Sequence, residues 1–350
     1  MKYEIEFLPV GNGEKSGDAI LIRWEESQDN YKVMIVDGGT KEAGKKIVEH
    51  IKTYYDTTHV DYVVNSHPDQ DHASGLSVVL EELTVGELWI HRPWNYTSHI
   101  IDYFKDGRIT EESLKRRLEK SFSYVKPLED LALEKEITIK EPFQGEFIGI
   151  FEVLSPCKNW YLHELIPDFS KTPDKKENVF IEAFESIKEK VLSWFEEDLH
   201  IETLSEDGKT SADNESSTIL YATIKNKGIL LTGDAGIKAL DKAYNYKPQI
   251  ADNLKFIQVP HHGSRRNVSP SVLDNILGEK GQEENSKTAF ISAGKESSTH
   301  PRQSVVNAFI RRGCKVTATK GSTTRHKSGM SDREGWSKAE SLPFKKRFQE

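Results

Sequence analysis

The sequence predicts a layered α/β fold, and three observations carry that expectation. Short apolar runs bounded by Gly, Pro, Asn or Asp alternate with helix-length amphipathic stretches along most of the chain. Three of those runs, VVNSHPDQDH, LLTGDAG and FIQVPHHGS, break into a turn at metal-capable side chains. Buried strands that end on a common edge are where α/β folds place their sites. The chain has 350 residues, 36% of them apolar, which is enough for one large core or two modest ones.

Taken in order, YEIEFLPV and DAILIRW are strands separated by the Gly-rich turn GNGEKSGD, and YKVMIVDGG is a buried strand ending at Asp37 and two glycines. A helix over 41–55, the strand DYVVN, a helix over 75–83 and the strand GELWIH at 86–91 follow. Residues 95–140 read as mostly helical and polar, and GEFIGIFEVLSP at 145–156 as one strand. Residues 157–212 read as an insertion. In it Phe180, Phe184, Ile187, Val191 and Trp194 recur at helical spacing and predict a helix with one apolar face. TILYATIK (218–225) and GILLTGD (228–234) form a hairpin around NKG. The rest alternates: helix 236–243, strand LKFIQVP (254–260), helix 270–278, strand TAFISAG, helix 303–312, strand KVTAT. No fixed-period repeat or linker stands out. The organisation predicted is one domain over 1–320, with insertions at about 95–140 and 157–212, and a basic C-terminal tail over 321–350.

The formal net charge is -8, but it is unevenly spread. From His300 to Glu350, twelve Lys/Arg face four Asp/Glu, an excess that suits either a phosphate-rich partner or a solvated surface segment. No apolar run approaches the roughly 20 residues that span a bilayer. The start MKYEIEFLPVGNGEKSG lacks the basic and apolar segments of a signal peptide, so a cytoplasmic chain without a membrane partner is expected. Cys157 and Cys314 are too few for a disulfide framework and have no CxxC partner, so they read as packed thiols.

NSHPDQDHASGL places His67, Asp69, Asp71 and His72 within six residues. Asp69 and Asp71 so close together repel each other, and a bound cation relieves that repulsion. A lone HH pair is ordinarily a surface feature and a lone GD a turn. Here Asp234, His261 and His262 stand at strand ends of the same kind as the four-ligand loop. Histidine and carboxylate donors without thiolate suit Zn, Mn or Fe.

These motifs resemble the metallo-β-lactamase fold. SHPDQDH is similar to its H-x-H-x-D-H signature with Asp69 in place of the second histidine, LLTGDA to its bridging-aspartate motif, VPHHGS to its last histidine motif and IVDGG to its early strand end. With ISAGKESSTHP, GDAILIRW and DNESSTILYATIKNKGILLTGDA, the set most resembles the metallo-hydrolase domain of ComEC-type DNA-uptake proteins and its free-standing relatives, over about residues 3–320. The resemblance implies a four-layer αββα sandwich with helical insertions and two divalent metal ions, Zn or Mn. Carried over, His67 and Asp69 hold the first ion, Asp71, His72 and His261 the second, and Asp234 bridges. Such a pair clamps a phosphodiester and activates water. One position departs. The family's further first-metal histidine falls at Ser155, which puts that ion's ligation in doubt and leaves nearby His163 as a candidate substitute.

His262 and His300 are expected to act on substrate beside Asp71, by contacting an oxyanion or protonating a leaving alkoxide. The reason for His262 is that adjacent side chains on an extended segment point apart, so His261 and His262 do not share an ion. Asp37 is expected to orient a ligand. The function implied is a metal-dependent phosphodiesterase or nuclease that meets nucleic acid through its basic C-terminal third, around Arg265, Arg266, Arg311, Arg312 and Arg325. The alternatives are a hydrolase of a small phosphoester, nucleotide or phosphocholine-like, which the acidic charge favours, and a non-catalytic metal-binding regulatory subunit, which Ser155 favours.

Overall fold

Strand β1 (Tyr3–Phe7) shows how the layers arise. Tyr3, Ile5 and Phe7 point to one face and Glu4 and Glu6 to the other, and all five are buried. A strand covered on both sides belongs inside a sandwich. The computed structural model describes residues 1–13, 16–104, 109–170, 172 and 193–350.

The first sheet has seven strands in the order β15-β1-β2-β3-β4-β5-β6, with β2 at Ala19–Ser27, β3 at Asn30–Gly38, β4 at His59–Val64, β5 at Thr84–Trp89, β6 at Thr138–Lys140 and β15 at Thr324–Ser328. The second, also seven-stranded, runs β14-β13-β12-β11-β10-β8-β7, with β7 at Phe147–Ile148, β8 at Phe151–Ser155, β10 at Ile219–Ile224, β11 at Lys227–Leu231, β12 at Leu254–Gln258, β13 at Gln282–Ile291 and β14 at Arg312–Ala318. Each sheet joins an antiparallel part to a parallel part: β3 through β6 are parallel in one, β11 through β14 in the other. The inner faces meet in one core, where Phe7, Ile22 and Trp24 pack against Phe151, Phe256 and Phe290. The Phe7 and Phe290 rings meet edge-on at 5.5 Å. Helices α1 (Lys41–His50) and α2 (Leu76–Glu82) cover the outer face of the first sheet, and the helices Ile237–Tyr246, Pro270–Leu277 and Gln303–Ile310 that of the second. The result is the expected αββα layering.

Four sequence expectations change. The single strand at 145–156 is two, because the chain folds back so that Ile148 pairs with Phe151, with Gly149 at φ 59° between them. A Cβ at Gly149 would lie 2.8 Å from the Trp24 ring, so glycine is required there. Of the helix predicted on the Phe180–Trp194 face, residues 180–192 lie outside the described residues, and Trp194 begins strand β9 (Trp194–Glu196), which pairs with β16 (Arg347–Gln349). Residues 321–350 are more than a tail, since β15 is an edge strand of the first sheet against β1.

Finally, the basic segment is partly consumed internally. Arg311 and Arg312 are fully buried, Arg311 against Glu197 at 2.9 Å and Arg312 against Glu202 and Asp274 at 2.8 Å each. Arg325 is paired with buried Glu4. Guanidinium groups neutralised in this way present no charge to a phosphate backbone.

Glu4 and Glu6 are buried without residual exposure beneath Arg23, Arg325, Arg333, His50 and Tyr55. Burial pushes the Glu6 carboxyl up, but His50 and Arg333 outweigh it and hold it down to about 2. Its folded value therefore lies below its unfolded one of 4.5. The stability it contributes is complete above that unfolded value and is lost as pH falls from there toward about 2. The urea midpoint of the wild type is expected to fall across that window more steeply than that of Glu6→Gln. Parallel curves would contradict the assignment.

Candidate metal centre

Strand direction brings the site together. Strands β3 and β4 run parallel, so Asp37 and the segment Asn65–His67 leave the same edge, and β2 runs antiparallel to β3, so Asp18 at its start joins them. The parallel strands β11 and β12 deliver Asp234, His261 and His262 to the facing edge of the second sheet.

Asp234 is the centre. Its Oδ2 lies 3.8 Å from His67 Nε2, 3.5 Å from His72 Nε2, 3.7 Å from His261 Nε2 and 3.9 Å from His262 Nε2. Each of these rings is held from behind through Nδ1. His72 is 2.8 Å from Asp37 Oδ2, His262 3.0 Å from the Ser292 carbonyl, His67 3.0 Å from Ser66 Oγ and His261 3.0 Å from Asn267 Oδ1. The partners assign three tautomers: a carboxylate and a carbonyl only accept, and Ser66 Oγ already donates to Asp37, so His72, His262 and His67 carry the proton on Nδ1. His261 Nδ1 lies between Asn267 Oδ1 and, at 3.1 Å, the Asn214 amide nitrogen. All four rings turn Nε2 toward Asp234, as metal-ligating histidines do.

The donor set fits a divalent cation. His67 Nε2, His72 Nε2 and Asp234 Oδ1 are buried without a hydrogen-bond partner. Ligand atoms gather within 4.8 Å of one another in the groups Asp71–His72–His262, Asp18–His72–Asp234 and Asp37–His67–His72. Burial pushes the Asp234 carboxyl up, but His261, His72 and His262 outweigh it and hold it well below the usual carboxylate range. Burial pushes the His72 ring down, and the Asp234 and Asp37 carboxylates raise it well above the usual histidine range. A metal ion answers the same negative charge as that proton and replaces it.

The chain matches the metallo-beta-lactamase superfamily over residues 12–277. It belongs to that family. The family is mostly hydrolases and typically binds divalent metal ions. Over 125 residues the chain is 32% identical to ComE operon protein 3 of Bacillus subtilis, a stretch that makes up 35% of this chain and only 15% of that protein. In structure it is similar to the metallo-beta-lactamase fold protein YhfI from Bacillus subtilis (10% identity, 94% of this chain and 100% of that one, TM-score 0.42). It is also similar to a diphosphatase from the PhnP family (11% identity, 93% and 98%, TM-score 0.41) and to a long form RNase Z from yeast (11%, 92% and 41%, TM-score 0.40).

Within this metallo-β-lactamase frame, Asp37 is an orienting group. Its oxygens accept from Ser66 N at 2.7 Å, Ser66 Oγ at 2.5 Å, Asn65 Nδ2 at 3.3 Å and His72 Nδ1 at 2.8 Å. Removing such an outer partner typically costs 10- to 100-fold in metal affinity. Asp37→Asn is expected to show a loss of that size in chelator competition, and unchanged affinity would contradict its role.

The premise that His261 and His262 point apart fails. Both have left-handed backbone, φ 46° and 56°, so the pair is a tight turn rather than an extended segment, and both rings face Asp234. His262 is buried, whereas the His261 side chain is 31% exposed and lies parallel to His300 at 6.3 Å. Burial and the neighbouring His262 and His261 push His300 down to about 3, so it is a neutral hydrogen-bonding ring.

Asp69 lies 3.6 Å from His67 Nε2 and is 35% exposed. Ser155 is buried at the end of β8, and its Oγ has no partner. His163 is not brought to the site, since its Nδ1 meets the Tyr103 hydroxyl at 3.0 Å.

Asp18 was not anticipated. It is buried, accepts from Gln258 Nε2 at 2.7 Å and lies 3.8 Å from His72 Nδ1. The sequence carries one hint, SGDA at 16–19 against TGDA at 232–235, but Asp18 precedes its strand whereas Asp234 follows one.

Proposed function

We propose that this chain is a two-metal phosphodiester hydrolase with nucleic acid as the favoured substrate. The observation that carries the reading is the convergence of four histidine Nε2 atoms on Asp234 Oδ2 at 3.5–3.9 Å. Asp71, His72 and His262 hold one ion, His67 and Asp69 the other, and Asp234 both. This exchanges the roles that sequence alone gave His261 and His262. It is supported by the grouping of His262 with Asp71 and His72, and by the exposure of His261 beside His300. With three carboxylates among its donors, the site favours Mn over a thiolate-seeking metal, and Zn remains compatible. When bound, the ions supply Lewis acidity and lower the pKa of water.

The chain's own residues do the rest. Ser66, Asp37, Asn267 and the Ser292 carbonyl fix the ring directions, so the donors are preorganised. His261 and His300 lie side by side on the open face; with Asn214 donating to its Nδ1, His261 carries its proton on Nε2 and, like His300, offers a hydrogen bond to a phosphate oxygen. Arg265 and Arg266 directly follow the histidine turn and are partly exposed. They support a polyanionic substrate. The burial of Arg311, Arg312 and Arg325, together with the net charge of -8, favours the second reading, a small phosphoester.

Turnover of bis-p-nitrophenyl phosphate, p-nitrophenyl phosphate and a single-stranded oligonucleotide, each with Mn, Zn and Mg, tests the proposal. Diester and oligonucleotide turnover is expected, with oligonucleotide binding that weakens by about 0.7 log units per log unit of salt for each phosphate contacted. A flat salt response favours the small phosphoester, and no turnover with any metal sinks the hydrolase reading. His300→Ala is expected to cost about 10²-fold in kcat, as removal of one preorganised donor does, with metal content unchanged. Metal loss in proportion to activity would make His300 a ligand.

A further inference from the structure

Beside the metal centre lies a small cavity of mixed polar and apolar lining that the proposed reaction does not use. Asn65 N donates to Trp89 O at 3.0 Å, so the chain leaving β5 runs beside the Asn65–His67 loop and carries His91 there. His91 is 8% exposed, and both of its ring nitrogens lack a hydrogen-bond partner. Its ring is stacked on Tyr161 at 4.5 Å and packed against Phe143 at 4.9 Å. A buried histidine with neither nitrogen satisfied is rare and calls for a partner.

The cavity at His91 is lined by Asn65, His67 and Ser216 on its polar side and by Phe122 and Tyr161 on its apolar side. Its volume of about 10 Å³ admits one atom group the size of a water oxygen. No carboxylate is among its described lining residues, so nothing compensates a cation. Burial pushes His91 down to about 3, which leaves the ring neutral, with one nitrogen donating and the other accepting. The group that matches is small and neutral and both donates and accepts, which describes a hydroxyl.

We propose that this cavity is a subsite for a hydroxyl carried by the substrate on the carbon next to its phosphoester, with His91 as the specificity-determining residue. The vicinal position follows from His67, which lines both the cavity and the metal centre, so a group seated here is about one imidazole's width from the phosphate. The inference rests on the phosphodiesterase reading. Ribose, with its 2′-hydroxyl beside a 3′-phosphate, offers this chemistry, and so does glycerol. A base or an alkyl branch is too large.

The test is calorimetric titration of the metal-reconstituted protein with a ribonucleoside 3′-monophosphate and its 2′-deoxy analogue, and in parallel with sn-glycerol 3-phosphate and 3-hydroxypropyl phosphate, which lacks only the vicinal hydroxyl. The member of one pair that carries the vicinal hydroxyl is expected to bind about tenfold more tightly or better, the size of one net hydrogen bond in a buried site. Which pair shows the preference identifies the source. His91→Phe keeps the ring against Tyr161 and removes both nitrogens, so it is expected to abolish the preference without changing metal content. Equal binding within both pairs by the wild type overturns the subsite, whether or not the variant folds, and so does a preference that survives in His91→Phe. Absence of diester turnover with the preference intact overturns the hydrolase reading and leaves the hydroxyl subsite standing.

Discussion

Asp234→Ala is expected to remove bound metal and to lower phosphodiester turnover by at least about 10³-fold, since each 1.36 kcal/mol of lost transition-state stabilisation is tenfold and a metal ion supplies several. Asp234 stands within 3.9 Å of four histidine Nε2 atoms, and all four rings are locked in direction by partners other than Asp234. Its removal leaves the four rings in place without the carboxylate on which they converge. The fold should survive, because the backbone at Asp234 is held independently by Ser217 Oγ and by Asn267 Nδ2. Elemental analysis, turnover and far-ultraviolet circular dichroism on the same preparation check all three parts. A variant that keeps its metal, or keeps near wild-type turnover, contradicts the assignment.

The second large effect is on stability. Arg333→Ala is expected to cost about 3–5 kcal/mol, the typical penalty for breaking a buried ion pair by removing one partner. The Arg333 side chain is 10% exposed and spans Glu4 and Glu6, both buried without exposure. It also lies over the Tyr54 ring at 4.4 Å and the Trp336 ring at 4.9 Å, so packing is lost along with charge. Arg23 and Arg325 still neutralise Glu4, and His50 still contacts Glu6, which places the loss toward the lower end of that range. Lys338→Ala, at an exposed position, serves as the control and is expected to change stability by no more than about 0.5 kcal/mol. Equal denaturation midpoints for the two variants would show that the network contributes nothing.

What was legible in the sequence follows the reach of local patterns. The strands ending at Gly38, Val64, Leu231 and Gln258 were readable because apolar runs that stop within two residues of Gly, Pro, Asn or Asp carry their own boundaries. Asp18 was not, because it stands at the start of a strand. Only the antiparallel pairing of β2 with β3, Ala19 opposite Gly38, carries that start to the same edge as Asp37. The roles of His261 and His262 depend on two consecutive left-handed residues, which no hydrophobic pattern announces. Arg311 and Arg312 were misread for a third reason. Composition counts charges, but their partners Glu197 and Glu202 lie more than a hundred positions earlier in the inserted segment. His91 looked like the unremarked end of an apolar run, GELWIH, and only the packing of Tyr161 and Phe143 around it shows that its nitrogens are left without partners.

Anomalous diffraction from crystals reconstituted with Mn or Zn, collected at the metal's absorption edge, tests the Asp234-centred site most directly. The expected result is two peaks. One lies within coordination distance, about 2.0–2.2 Å, of Asp71, His72, His262 and Asp234, and the other within the same distance of His67, Asp69 and Asp234. Absence of any peak at Asp234 after reconstitution, or a peak bound by His261 with His262 turned away, would contradict it.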